Sequence, residues 1–214
     1  MEDSVGPNFF IIGAPKAGST TLWHELRKHP DVFMPEEKEP RFFLKDRSNV
    51  ERRAYLALFE EGKESEAIGE ATPGYSKVLP RPDTPRRIAA QVPNARLIYI
   101  VRHPLRRMES SWRQNVYRGR LPHDTFNDAI RRYRPLVESS LYFECIKAYR
   151  QHFPDEQMLV VFLEDLAQQP NRVLNDCFEF LGVDRMAGHL KQDARQNASK
   201  NGLCYMCMAY VSHR

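Results

Sequence analysis

Residues Asn8 to Leu22, NFFIIGAPKAGSTTL, constrain the fold more than any other stretch of the chain. The apolar run Phe9 to Ile12 ends at Gly13 and predicts a buried strand. Gly13 and Gly18 bracket a tight loop, and Ser19, Thr20 and Thr21 follow as the first turn of a helix. Strand, glycine loop and helix start together make an anion cradle, because the first amides of a helix have no partner within it and its dipole favours negative charge. The lysine separates this loop from the nucleotide triphosphatase pattern G-x-x-x-x-G-K-[ST]. The glycine spacing is kept, but Ser19 follows the second glycine and Lys16 lies inside the loop.

The rest of the chain alternates strand and helix patterns. Thr20 to His29 predicts a helix with Leu22 and Leu26 on one face, stopped by Pro30, and Asp31 to Pro40 predicts a loop. Helices are expected at Val50 to Phe59 and Thr84 to Gln91, with a short strand at Glu66 to Glu70. Arg96 to Val101 (RLIYIV) is a second clear strand, followed by a helix over His103 to Tyr117 with Pro104 tolerated in its first turn. Ser140 to Phe153 predicts a helix, Met158 to Leu163 a strand, and Asn171 to Leu181 a helix ended by Gly182. This alternation predicts an α/β fold, a central parallel sheet flanked by helices on both faces. With no repeat or long linker, a single domain over residues 1–214 is expected.

Charge and composition exclude some functions. The balance of 32 Lys+Arg against 28 Asp+Glu gives +4, which suits an anionic ligand but is too small to indicate nucleic acid. Met1 to Pro7 does not resemble a signal peptide, and no apolar run approaches the roughly 18 residues of a membrane span, so a cytoplasmic location without a span is expected. Cys145, Cys177, Cys204 and Cys207 contain one C-x-x-C without the second ligand pair of a structural zinc site, so no metal is expected.

In an open parallel sheet, ligands gather beyond the carboxyl ends of the strands. The first strand unit delivers Lys16 and the turn Gly18 to Thr21 there; the second delivers Arg102 directly after its strand and Ser110 two helical turns on. One site can thus contact two separated phosphate-type groups.

These residues carry a family resemblance. Pro15 to Leu22 (PKAGSTTL) closely resembles the 5′-phosphosulfate loop of sulfotransferases that use 3′-phosphoadenosine 5′-phosphosulfate (PAPS). Tyr99 to Trp112 resembles their 3′-phosphate element, in which an arginine ends the strand and a serine lies eight residues later, the spacing of Arg102 and Ser110. Lys38 to Phe43 (KEPRFF) and Gly69 to Tyr75 (GEATPGY) resemble the branch that includes the heparan sulfate sulfotransferases. The resemblance runs from about Asn8 to Val183 and implies a P-loop-like three-layer fold.

The resemblance also implies roles. PAPS is the donor co-substrate and adenosine 3′,5′-bisphosphate the product. Lys16, Ala17, Gly18, Ser19, Thr20 and Thr21 would hold the 5′-phosphosulfate, and Arg102 and Ser110 the 3′-phosphate. Lys16 would reach the bridging oxygen of the leaving phosphate. Glu39, the glutamate of E-x-x-F-F, would act as base; Glu70 is the reserve candidate, contacting acceptor hydroxyls or pairing with Lys16. The acceptor is a hydroxyl or amine of a carbohydrate or other small metabolite, and these motifs encode neither its identity nor the oligomeric state.

Phe42, Phe43 and Tyr75 either line an acceptor cleft or belong to the core, and Trp112 either packs on its helix or touches the adenine. Arg81, Arg86, Arg87, Arg106, Arg107, Arg113, Arg118 and Arg120 either steer an acidic ligand or form an ordinary solvated surface; none is assigned to the site. Residues 196–214 differ from the basic, glycine-containing loop with which the family closes over its donor, and are expected to be a divergent or truncated tail. Two other readings stand beside the main one. A P-loop kinase or nucleotide triphosphatase would need a lysine after Gly18 and a magnesium-binding carboxylate, for which Leu163-Glu-Asp165 is the nearest match. A catalytically weakened nucleotide-binding protein would accord with the unusual tail.

Overall fold

Five strands form one sheet: β1 (Phe9–Gly13), β2 (Val32–Phe33), β3 (Ala67–Ala71), β4 (Arg96–Val101) and β5 (Met158–Phe162). The computed structural model describes residues 5–122 and 124–186; the tail 196–214, including Cys204 and Cys207, lies outside the described residues. All strand pairs are parallel, in the order β2-β3-β1-β4-β5. Strands with helices on both sides must be apolar on both faces, and β1 is buried at every residue. Phe9 and Ile11 enter one core while Phe10 and Ile12 enter the other, as the two-residue period requires. β4 repeats the division, with Ile98 and Ile100 on one side and Leu97, Tyr99 and Val101 on the other.

The helices are α1 (Ser19–Leu26), α2 (Asn49–Ala57), α3 (Thr84–Gln91), α4 (Pro104–Tyr117), α5 (Phe126–Arg132), α6 (Arg134–Glu138), α7 (Tyr142–Tyr149), α8 (Leu163–Gln168) and α9 (Pro170–Leu181). Leu22 and Leu26 of α1 meet Leu174 and Phe178 of α9 over the first core. Tyr55 of α2, Ile88 of α3 and Tyr149 of α7 close the second. Local chemistry fixes the ends: Ser48 and Glu51 form a capping box at α2, and Gly182, at φ 78°, ends α9 in the left-handed conformation.

The three-layer α/β architecture expected from the pattern is the one observed. The expected loop Asp31 to Pro40 contains β2, whose Val32 and Phe33 pair with Ala67 and Ile68; two residues are too short to display a period. The short helices α5, α6 and α8 were equally invisible to a periodicity reading. α1 and α7 are shorter than predicted, with the His29 amide bonding the Leu26 carbonyl in a tight turn at the end of α1. None of the described helices is long and apolar enough to cross a membrane.

Strand order places the site. The chain leaves β1 for β2 and β3 on one side and later returns to lay β4 on the other, so the order reverses at β1. A crevice therefore opens beyond the carboxyl ends of β1 and β4.

Candidate active site

The loop after β1 is shaped by its two glycines. Gly13 has φ 142° and Gly18 has φ 93°. A Cβ at Gly13 would sit 2.3 Å from Ser76 Oγ and 2.9 Å from the Pro73 carbonyl oxygen, so sterics as well as the dihedral demand glycine there; at Gly18 the positive φ makes the demand. The Ala14 amide donates to the Ile100 carbonyl of β4 at 2.5 Å and the Ala17 amide to the Ala14 carbonyl at 3.1 Å, folding the loop back toward α1. Gly18 stands at the N-cap of α1 without a capping side chain. The amides of Gly18, Ser19, Thr20 and Thr21 consequently have no backbone acceptor among the described residues, and the first amide back in the ladder is that of Leu22, bonded to Gly18.

Lys16 projects from this loop with its backbone left-handed, φ 69°. Its half-buried ammonium has no carboxylate partner among the described residues. Burial, followed by the charges of Arg118 and Arg102, holds its pKa below the ordinary lysine value. Arg102, directly after β4, has Nη1 3.5 Å from the Lys16 carbonyl, so the two strand units meet where the sequence places them. Ser110 lies further along α4, half-buried.

A second loop faces the crevice from β3. Glu39 and Arg41 are, with Lys16, the described non-glycine residues at positive φ, 63° and 58° respectively. The Glu39 amide donates to the Ala71 carbonyl at the end of β3, 3.2 Å away. Its carboxylate accepts from Arg41 Nη2 at 2.7 Å and Lys38 Nζ at 3.5 Å. Burial works against ionisation of Glu39, but these two cations outweigh it and hold its pKa below the usual carboxylate value.

Glu70 is buried and does not pair with Lys16. Its oxygens accept from Tyr55 Oη (2.7 Å), Thr72 Oγ1 (2.7 Å) and Tyr75 Oη (2.8 Å). Direct contact with acceptor hydroxyls is closed to it at 1% exposure. Those partners reach the Glu39 loop: Thr72 Oγ1 accepts the Arg41 amide at 3.4 Å and Tyr75 Oη the Phe43 amide at 3.3 Å. Glu70 thus anchors the loop that carries Glu39.

A family model for the sulfotransferase domain matches residues 6–205. This chain belongs to the sulfotransferase family. Heparan sulfate glucosamine 3-O-sulfotransferase 3A1 of Mus musculus is 34% identical over 191 residues, covering 84% of this chain and 47% of that protein. The Homo sapiens protein of the same name is 32% identical over 191 residues, covering 84% and 45%. The chain spans about half the length of those relatives. Among solved structures, a sulfotransferase from Alicyclobacillus acidocaldarius superposes with a TM-score of 0.73 at 28% identity, covering 97% of this chain and 92% of that one.

The aromatic residues near the site serve packing. Phe42 stacks on Tyr55 with centroids 4.2 Å apart, and Phe43 meets Phe10 edge to face at 5.6 Å, so Phe42, Phe43 and Tyr75 belong to the second core. Trp112 packs on Phe126 at 5.7 Å, its indole nitrogen buried without a partner among the described residues. Of the arginines left open between steering and a solvated surface, Arg107 is buried, Arg81 and Arg87 are partly buried, and Arg118 is exposed. Arg118 brings its charge to Lys16, and Arg107 is 1% exposed, bonded to Ser140 Oγ and the Leu136 carbonyl. Periodicity along α4 signals which face is apolar, but not that an arginine there reaches carbonyls of another helix.

Burial pushes Glu70 up to about 7 from an ordinary value of 4.5, against the opposing hydrogen bonds from Thr72, Tyr55 and Tyr75. The folded state then holds a proton that the unfolded state releases, so the stability tied to this group is complete below pH 4.5 and is lost as pH rises through about 7. The gap corresponds to roughly 3 kcal/mol. Urea denaturation at pH 5 and pH 8 should show this loss in the parent, and Glu70→Gln should flatten it; parallel slopes would show that Glu70 does not titrate in that window.

Proposed function

We propose that this sulfotransferase moves a sulfuryl group from PAPS to a hydroxyl or amine of a carbohydrate or other small metabolite. The observation that carries the reading is the two-part cationic crevice: Lys16 beside the unpartnered amides of Gly18 to Thr21, and Arg102 with Ser110 on the adjacent unit. Two anions at opposite ends of a nucleotide suit those two parts. Heparan sulfate in the names of the relatives supports a carbohydrate acceptor.

In this reading the acceptor oxygen bonds to sulfur as the bond from sulfur to the bridging phosphate oxygen breaks, in line. The Lys16 ammonium stabilises the negative charge growing on that oxygen, supported by the amides of Gly18 to Thr21; the Ala17 amide is already given to the Ala14 carbonyl. Glu39 takes the proton leaving the acceptor. Glu70 acts at one remove, through Thr72 and Tyr75, by fixing the backbone that aims Glu39. Arg118 adds a third positive charge beside the loop. The P-loop kinase reading lacks support at both places it needs: Ser19 follows Gly18, and Glu164 is engaged by the His103 amide at 3.0 Å.

Adenosine 3′,5′-bisphosphate should raise the melting temperature, and ATP with magnesium should raise it less. A larger shift with ATP would overturn the donor assignment. Bisphosphate binding without transfer to any of a broad panel of acceptors would instead favour a weakened nucleotide-binding protein.

A further inference from the structure

Four of the nine described lysines and arginines that are not exposed, Arg27, Lys38, Arg47 and Arg87, are matched by a carboxylate. Among the described residues, the lysines and arginines that are not exposed and yet have no acidic partner are Lys16, Lys77, Arg81, Arg102 and Arg107. Lys16 and Arg102 are accounted for by the donor crevice. Arg107 is held by Ser140 and the Leu136 carbonyl, where it braces the connection between α6 and α7. Lys77 and Arg81 are left over, and both line one cleft of about 210 Å³.

That cleft adjoins the Glu39 loop. Lys77 follows the turn Pro73–Ser76, which packs on Phe42–Leu44 through the Tyr75 and Phe43 rings, 6.0 Å apart, and the bond from the Phe43 amide to Tyr75 Oη. Burial, then repulsion from Arg81 and Arg107, lowers the Lys77 pKa; Glu39 and Arg41 are also within electrostatic reach of it. A desolvated ammonium beside two guanidinium groups is costly until an anion arrives. The two carboxylates on the opposite wall do not meet this need. Glu138 is 3.4 Å from Arg134, and Glu144 is exposed on α7. Leu79 and Leu141 add an apolar wall. The volume falls below the usual range of about 300–1,000 Å³ for ligand pockets, so it suits one ring-sized unit and not a length of chain.

We propose that this cleft is an acceptor subsite in which Lys77 and Arg81 bind an anionic group, a carboxylate or sulfate ester, carried next to the hydroxyl or amine that receives the sulfuryl group. The inference rests on the acceptor side of the proposed function. An acidic saccharide unit and a hydroxylated aromatic acid share the required chemistry, and the test separates them.

The full chain, saturated with adenosine 3′,5′-bisphosphate, is titrated calorimetrically with a glucuronic-acid disaccharide, with hydroxyphenylacetic acid and with the methyl ester of each. The parent should bind at least one acid about tenfold or more tightly than its ester, as expected for a charge-assisted contact. Whichever acid shows the preference names the source. Lys77→Gln/Arg81→Gln should abolish the preference while the melting shift with the bisphosphate persists. Equal binding of acid and ester by the parent, including no binding of either, overturns the subsite whether or not the double variant folds, and so does a preference retained in a folded variant. Absence of the bisphosphate shift in the parent strikes the donor assignment, a separate failure.

Discussion

Lys16→Ala is expected to lower sulfate transfer at saturating donor by about two to three orders of magnitude, the effect of removing one donor from a developing oxyanion. The loop itself should survive the change. Its shape depends on Gly13, Gly18 and the amides of Ala14 and Ala17, none of which involves the Lys16 side chain. No carboxylate partner is lost either, so stability should move little. Lys16→Gly is the useful companion, because it relaxes a backbone at φ 69° while removing the same ammonium. Equal rate losses in the two variants assign the effect to the charge. An unchanged rate with donor saturating would remove Lys16 from the transition state.

Glu39→Gln should reduce turnover by about two to four orders of magnitude, the range for removing a general base, while the melting shift with adenosine 3′,5′-bisphosphate remains. Arg41 and Lys38 hold Glu39 below the usual carboxylate pKa, so the parent is already ionised under mildly acidic conditions. Its rate should therefore climb with pH only in the acid range, and this limb should vanish in the variant. Transfer at the parental rate by a folded Glu39→Gln protein would end the assignment of Glu39 as base.

What the sequence revealed depended on how each feature is encoded. β1 and β4 were legible because burial on both faces demands uninterrupted apolar runs. The loop between β1 and α1 was legible because the positive φ at 13 and 18 favours glycine at both. β2, α5, α6 and α8 were not, being too short for a period to emerge. Arg102 could be placed beside the first loop because strand order in such sheets brings separate carboxyl ends together. Pairing of charges is different. Whether Lys77 finds a carboxylate, or Arg107 a carbonyl, is decided by residues distant in the chain, and nothing in the local pattern carries that information. Glu70 shows the same limit: its residue type and strand suggested a cleft position, and three hydroxyls from 55, 72 and 75 enclose it instead.

The left-handed backbone at Lys16, Glu39 and Arg41 has a bearing on engineering. Each such residue costs of order 1–3 kcal/mol, and each is held in place by the loop around it. Glycine or asparagine would sit there more comfortably, so selection for heat resistance alone would drift toward them. A thermostable descendant obtained that way would keep its sheet and both cores and shed the ammonium of Lys16 and the Glu39–Arg41 ion pair. For this chain, rigidity is better sought far from the β1 and β3 carboxyl ends, and any gain found at those three positions is expected to cost the proposed transfer.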